Sequence, residues 1–134
     1  MGFSQVVRSN QIREYLKTGK DISSKHVKIF SDTLISNDIP TPMTWDTDVM
    51  DSTEPPFSDK LILFHVSLLV VAGTANYAIS AAASPRKDIA TNYVRLAAEI
   101  AIYAERGAKL MIENGWLEEP PQAPDRQALV NQPK

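Results

Sequence analysis

From Leu61 to Ala83 the chain runs without a single Asp, Glu, Lys or Arg. A helix made from this run is apolar on almost every side, and such a helix has to be covered from several directions. The run also meets the length criterion for a membrane span. Against a span stand His65, Thr74, Asn76 and the serines within the run, and the amphipathic pattern of the segment that follows it. The reading is therefore a soluble all-α protein with no membrane partner, in which the rest of the chain must wrap this rod.

The rod has clear ends. Ser58 suits an N-cap, Asp59 suits the positive end of the helix dipole, and Phe57 and Ile62 have the spacing of a hydrophobic staple, which predicts a helix over 58–83. Ser84-Pro85 reads as the cap and first residue of a further helix over 85–114, ended by Gly115 with Trp116 placed for the apolar contact that accompanies such a cap. Along it Ile89, Tyr93, Ala97, Ile100, Ala104, Gly107, Ala108 and Met111 form an apolar stripe, with Asp88, Arg95, Glu99, Arg106, Lys109 and Glu113 opposite.

Upstream, two shorter helices are expected. The first covers 4–18 and stops at Gly19, a residue suited to the left-handed position after a helix. The second covers 21–37, starts at Asp21 or Ser23, and lines up Ile22, His26, Ile29, Phe30 and Thr33. No helix can traverse the next stretch, which carries Pro40, Pro42, Pro55 and Pro56 and the acids Asp46, Asp48, Asp51 and Glu54. Extended, it reaches on the order of 65 Å, enough to join two parallel helices, with Trp45 as its expected anchor. It is no calcium loop: counted from Asp46, the sixth and twelfth positions hold Asp51 and Phe57 where Gly and Glu are needed. Short link, long crossover and short link is the connectivity of a ferritin-like four-helix bundle. The segment 116–134, with Pro120, Pro121, Pro124 and Pro133, reads as an extended tail.

Composition narrows the function. With 134 residues and 43% apolar content the chain fits one domain, 1–134. A formal charge of −2 with scattered basic residues excludes a nucleic-acid footprint. The absence of Cys removes thiolate nucleophiles and Cys-ligated metals. All glycines stand singly, with no Gly-x-Ser-x-Gly elbow or phosphate loop. The N-terminus lacks the pattern of a signal peptide, so a cytoplasmic place is expected.

Several strings together resemble a family of bacilli, the domain of unknown function 3231, which is often present as two copies in tandem and sometimes labelled as spore coat. They are Ile39-Pro40-Thr41-Pro42, Pro56-Phe57-Ser58-Asp59-Lys60-Leu61, Ser84-Pro85-Arg86-Lys87-Asp88-Ile89 and Asn114-Gly115-Trp116-Leu117-Glu118-Glu119-Pro120-Pro121 with Asp125-Arg126. The resemblance implies a ferritin-like bundle of sporulating bacteria, spore-associated and without an established reaction. The chain looks like the second copy of such a pair, with its abbreviated first helix implying preceding sequence.

A ferritin-like fold raises the question of a di-metal carboxylate site, built on Glu-x-x-His pairs. The pairs are absent: Ser23 and Ile62 stand three residues before His26 and His65. Glu99 and Glu105 fall at the edges of the polar face, which leaves Glu14, His26 and His65 as the only candidates for a mononuclear site. The expectation is no metal, no cofactor and no catalytic residue, with both histidines hydrogen-bonded instead. What remains is a non-catalytic bundle acting through protein contacts over its third helix, as a homo-oligomer or against a tandem sister domain. The competing reading is a ferritin-like metal-binding or oxidising protein with a degenerate site.

Overall fold

The computed structural model describes residues 2–44 and 46–121, together with 126 and 130. It is all-α: α1 (Gly2–Val6), α2 (Asn10–Ile35), α3 (Asp59–Ala83) and α4 (Lys87–Glu113), with one 3-10 turn at Asp46–Asp48 and no strand among the described residues. Trp45, Pro124, Asp125 and Pro133 lie outside the described residues. Residues 118–121 carry no regular structure, as expected of the tail, whereas Arg126 and Val130 are helical.

The helix break expected at Gly19 falls instead at Val7–Ser9. Ser9 is the N-cap of α2, its hydroxyl accepting from the Ile12 amide at 3.4 Å, and α2 then runs unbroken through Gly19. The expected helices 4–18 and 21–37 are therefore replaced by a five-residue α1 and one long α2. The reason for a glycine in mid-helix lies on α4. Tyr103 stacks on Tyr15 with ring centroids 4.2 Å apart and planes 2° from parallel. Each phenol donates to the other tyrosine's backbone carbonyl, Tyr103 to Tyr15 at 3.2 Å and Tyr15 to Tyr103 at 3.4 Å. Each ring also lies over a glycine of the facing helix. A side-chain carbon added at Gly19 would collide with the Tyr103 hydroxyl, and one at Gly107 with that of Tyr15. Gly19 and Gly107 sit four residues after Tyr15 and Tyr103, so the two antiparallel helices present the same notch to each other.

Further contacts fix the register. Gln11 donates to Glu113 at 3.0 Å near one end of the α2–α4 pair, Arg86 donates to Asn37 at 3.1 Å at the other, and Phe30 stacks on Tyr93 at 4.7 Å between. The start of α3 is held beside the start of α2, because the Asp59 carboxylate accepts from the backbone amides of Arg8 and Ser9 at 3.1 and 2.8 Å. Further along, Tyr77 of α3 meets both Phe30 and Tyr93 edge-on. Helices α2 and α3 thus run parallel, each antiparallel to α4, and residues 36–58 travel back along the molecule to join them. The long-crossover expectation holds.

The α3 start and the α4 end follow the sequence signals. Ser58 accepts from the Leu61 amide at 3.2 Å. Gly115 takes a left-handed φ of 66°, with Trp116 N–H bonded to the Met111 carbonyl and Gly115 N–H to that of Ile112, a Schellman cap. The same cap ends α2 with Asp38 in the glycine position at φ 57°. Helix α4 begins at Lys87, not at 85, since Pro85 disfavours helical geometry at Ser84 and Arg86 is also extended. Its buried face is Leu96, Tyr103, Gly107, Leu110 and Met111. The predicted stripe lies on this face, its remaining residues Ile89, Tyr93, Ala97, Ile100, Ala104 and Ala108 being half-buried, and Leu96, Tyr103 and Leu110 widen it because α4 is the middle helix and faces α2 and α3 at once.

The stacked tyrosines give a stability prediction. Alanine is the better helix former by about 1 kcal/mol, yet forcing a carbon into a filled site costs roughly 1–3 kcal/mol. Gly107→Ala is expected to lower the unfolding free energy by up to about 2 kcal/mol. Gly73→Ala, where an added carbon meets nothing within 4 Å, is expected to raise it by roughly 0.5–1 kcal/mol. Urea denaturation of the two variants checks the pair; equal and stabilising effects would remove the notch argument.

Candidate functional site

The corner between α2 and α3, opposite α4, is a groove of about 1080 Å³. Phe30 and Leu34 of α2, Val66, Leu69 and Tyr77 of α3, and Ile100 of α4 give it an apolar lining. At one end Phe3 of α1 enters it and meets the His65 ring edge-on, with centroids 5.9 Å apart. At the other end Pro42 and Met43 of the crossover approach.

The polar centre of the groove is His26. Its side chain is buried, the residue being 4% exposed. One ring nitrogen, Nε2, lies 2.9 Å from a Glu99 carboxylate oxygen, and the other, Nδ1, lies 3.3 Å from the Tyr77 hydroxyl. Both ring nitrogens of His26 are thus partnered, Nε2 by the Glu99 carboxylate and Nδ1 by the Tyr77 hydroxyl. Lys25 donates to the second Glu99 oxygen. Lys25, and after it His26, holds the Glu99 carboxyl below the usual carboxylate range. Burial pushes the Tyr77, Tyr15 and Tyr103 phenols above their ordinary range. These tyrosines therefore serve as neutral hydrogen-bonding groups at ordinary pH.

The three metal candidates do not come together. Glu14 lies exposed and pairs with Lys17 at 2.7 Å. His65 is exposed beside Phe3, and His26 is buried against Glu99 and Tyr77. The residue types alone placed Glu14 as the acid nearest His26. In the fold that acid is Glu99, because the edge of the α4 polar face is turned toward α2. Glu105 stays at the surface and pairs with Lys109. Among the described residues no group of three or more His, Asp or Glu is placed to share a metal ion.

The other side of α3 is bare. Ile62 and Leu63 are its only fully covered residues, and 11% of its most apolar stretch is buried. Leu61, Phe64, Leu68, Val71 and Ile79 are 48–67% exposed. Their spacing puts them on one outward stripe. Among the described residues α3 is one helix long and apolar enough to cross a membrane. It lies antiparallel along α4, whose surface carries Arg95, Arg106 and Lys109.

The fold and site define an all-α bundle with three long helices, an apolar groove and a bare apolar helix. The chain belongs to the family described as "Protein of unknown function (DUF3231)", which matches residues 1–129. A similar solved structure is that of a "putative spore coat protein" from Bacillus halodurans C-125. It is 18% identical with a TM-score of 0.77, over 92% of this chain and 80% of that one, a likeness of fold. No curated protein matches the chain.

The lowered Glu99 carboxyl sets a pH dependence. A carboxyl whose folded pKa is depressed stabilises the fold above its unfolded pKa, about 4.3 for Glu, and the contribution is lost as pH falls through the folded value. Glu99→Gln should therefore cost about 1 kcal/mol at pH 7, with the gap from the wild type narrowing below about pH 4. Urea unfolding across this range checks it, and a gap independent of pH would contradict it.

Proposed function

We propose that this protein is a non-catalytic, spore-associated helical bundle that works through protein contacts over α3. The single observation that carries the reading is the bare outer stripe of α3, where five large apolar residues stand about half-exposed or more. Leaving them in water forgoes roughly 25 cal/mol for each Å² of apolar surface that could be buried, and contiguous apolar patches of this kind mark interaction sites. A stripe along one straight helix is self-complementary. A second copy turned by a two-fold axis sets its own α3 against it in antiparallel fashion, and a sister domain of the same fold offers a similar surface.

The place in the spore rests on the fold likeness to the Bacillus halodurans protein. A ferritin-like reading is supported by the connectivity, since a long crossover joins two parallel helices that are both antiparallel to α4.

Sedimentation of the purified chain tests the proposal. The wild type is expected to form a discrete oligomer in the micromolar range, while Leu68→Glu with Ile79→Glu gives a monomer of unchanged helical content, because both positions are exposed in the single chain. A wild type that stays monomeric at every concentration overturns it.

A further inference from the structure

The last carbonyls of α4, those of Leu110, Met111 and Ile112, take their hydrogen bonds from residues 114–117. Asn114 serves Leu110 twice, through its backbone amide at 3.2 Å and its side-chain Nδ2 at 2.7 Å. Gly115 donates to Ile112 at 2.9 Å, and Trp116 and Leu117 donate to Met111 at 2.8 and 3.2 Å. Trp116 packs, half-buried, against the core. Asn114 and Gly115 themselves are exposed.

Asn114 is the one asparagine of the chain that is followed by glycine. The pairing is reactive, since glycine has no Cβ to crowd its amide nitrogen and its backbone turns freely. The Gly115 nitrogen attacks Cγ of Asn114, the side-chain amide leaves as ammonia, and a cyclic imide forms. Water then opens the imide at either carbonyl, giving aspartate or isoaspartate. We propose that Asn114 is a deamidation site governed by the α4 cap. The closed cap holds it unreactive, and opening of the cap admits a one-way change that keeps the cap open. The inference concerns the end of α4 and is independent of what covers the outer stripe of α3.

Two features of the closed cap prevent ring closure. The ψ of Asn114 is 3°, which sets the Gly115 nitrogen beside Asn114's own nitrogen and away from its side chain. Both reacting groups are also engaged, the Gly115 N–H with Ile112 and Nδ2 with Leu110. Reaction therefore requires the Schellman arrangement to open, a local event at the helix end that leaves the bundle folded. The product cannot restore the cap. Aspartate at 114 lacks the Nδ2 donor, and its carboxylate meets the Leu110 carbonyl, the negative end of the helix dipole and the neighbouring Glu113. Isoaspartate lengthens the main chain by a carbon between residues 114 and 115, so the amides of Gly115 and Trp116 no longer fall in register with Ile112 and Met111. Either product loosens the hold of the cap on Trp116.

Peptide mapping of the full chain, incubated at mildly alkaline pH with and without denaturing urea, tests the proposal. Asn114 is expected to be the first asparagine converted in urea, and the folded chain to convert it roughly 5–30-fold more slowly. Trp116→Ala, which removes the apolar contact of the cap, should speed conversion in the folded chain while helical content is kept. Asn114→Asp, which supplies a product directly, should raise amide hydrogen exchange at Trp116 by about tenfold. Equal rates in the folded and unfolded chain, conversion of another asparagine ahead of Asn114, an unchanged rate in Trp116→Ala, or unchanged exchange at Trp116 in Asn114→Asp would each overturn the proposal.

Discussion

A helix without charge from Leu61 to Ala83 has no face to turn toward water, and α3 imposes that condition on the whole molecule. One chain with three long helices can lay a neighbour along one side of it, and α4 is that neighbour. The parallel placement of α2, on the diagonal, covers little of what remains. The arrangement leaves two apolar surfaces of different character, a concave one toward α2 and a convex stripe facing outward. The half-exposed Phe64, Leu68, Val71 and Ile79 are a consequence of helix count and topology.

Helix α4 can serve as the common wall because its two interfaces are made differently. Against α3 it buries aliphatic residues around Ile62, Leu63, Leu110 and Met111, with the Ser67 hydroxyl 3.7 Å from the Met111 sulfur. Against α2 it uses shape and polarity: the stacked tyrosines over paired glycines, then the Glu99 carboxylate between Lys25 and His26. An aromatic pair of this kind is worth about 0.5–1.5 kcal/mol beyond its buried area. Its larger effect is on register, since two rings and two notches fit at one offset of the helices. The knot of Phe30, Tyr77 and Tyr93 then ties all three long helices at the far end.

Much of this was legible in the sequence, and the misreadings have a common cause. The ends of α3, the Gly115–Trp116 cap and the crossover are local, written in residues within a few positions of one another. The stripe of Ile22, His26, Ile29, Phe30 and Thr33 likewise predicted a face that is buried or half-buried. Gly19 was ambiguous, because a residue that permits a left-handed cap also permits close approach, and the deciding partner, Tyr103, sits on another helix. The repeated Tyr-x-x-x-Gly spacing at 15–19 and 103–107 was the available signal. Glu99 was placed at the edge of a polar face, where a small rotation decides between water and His26. Glu14 was misplaced for the same reason in reverse. Sequence near His26 names the acids on its own helix and is silent on those that arrive from α4.

We propose that α3, covered along one side by its own chain, buries its outer side against another protein molecule. The chain has no cysteine, so Ala75→Cys, an exposed small position on that outer side, takes a single nitroxide label. Its accessibility to a water-soluble paramagnetic relaxer, followed by electron paramagnetic resonance across a dilution series, reads the claim directly. The expected result is a label open to the relaxer when dilute and shielded when concentrated. A label shielded at every dilution, or open at every concentration, would contradict it.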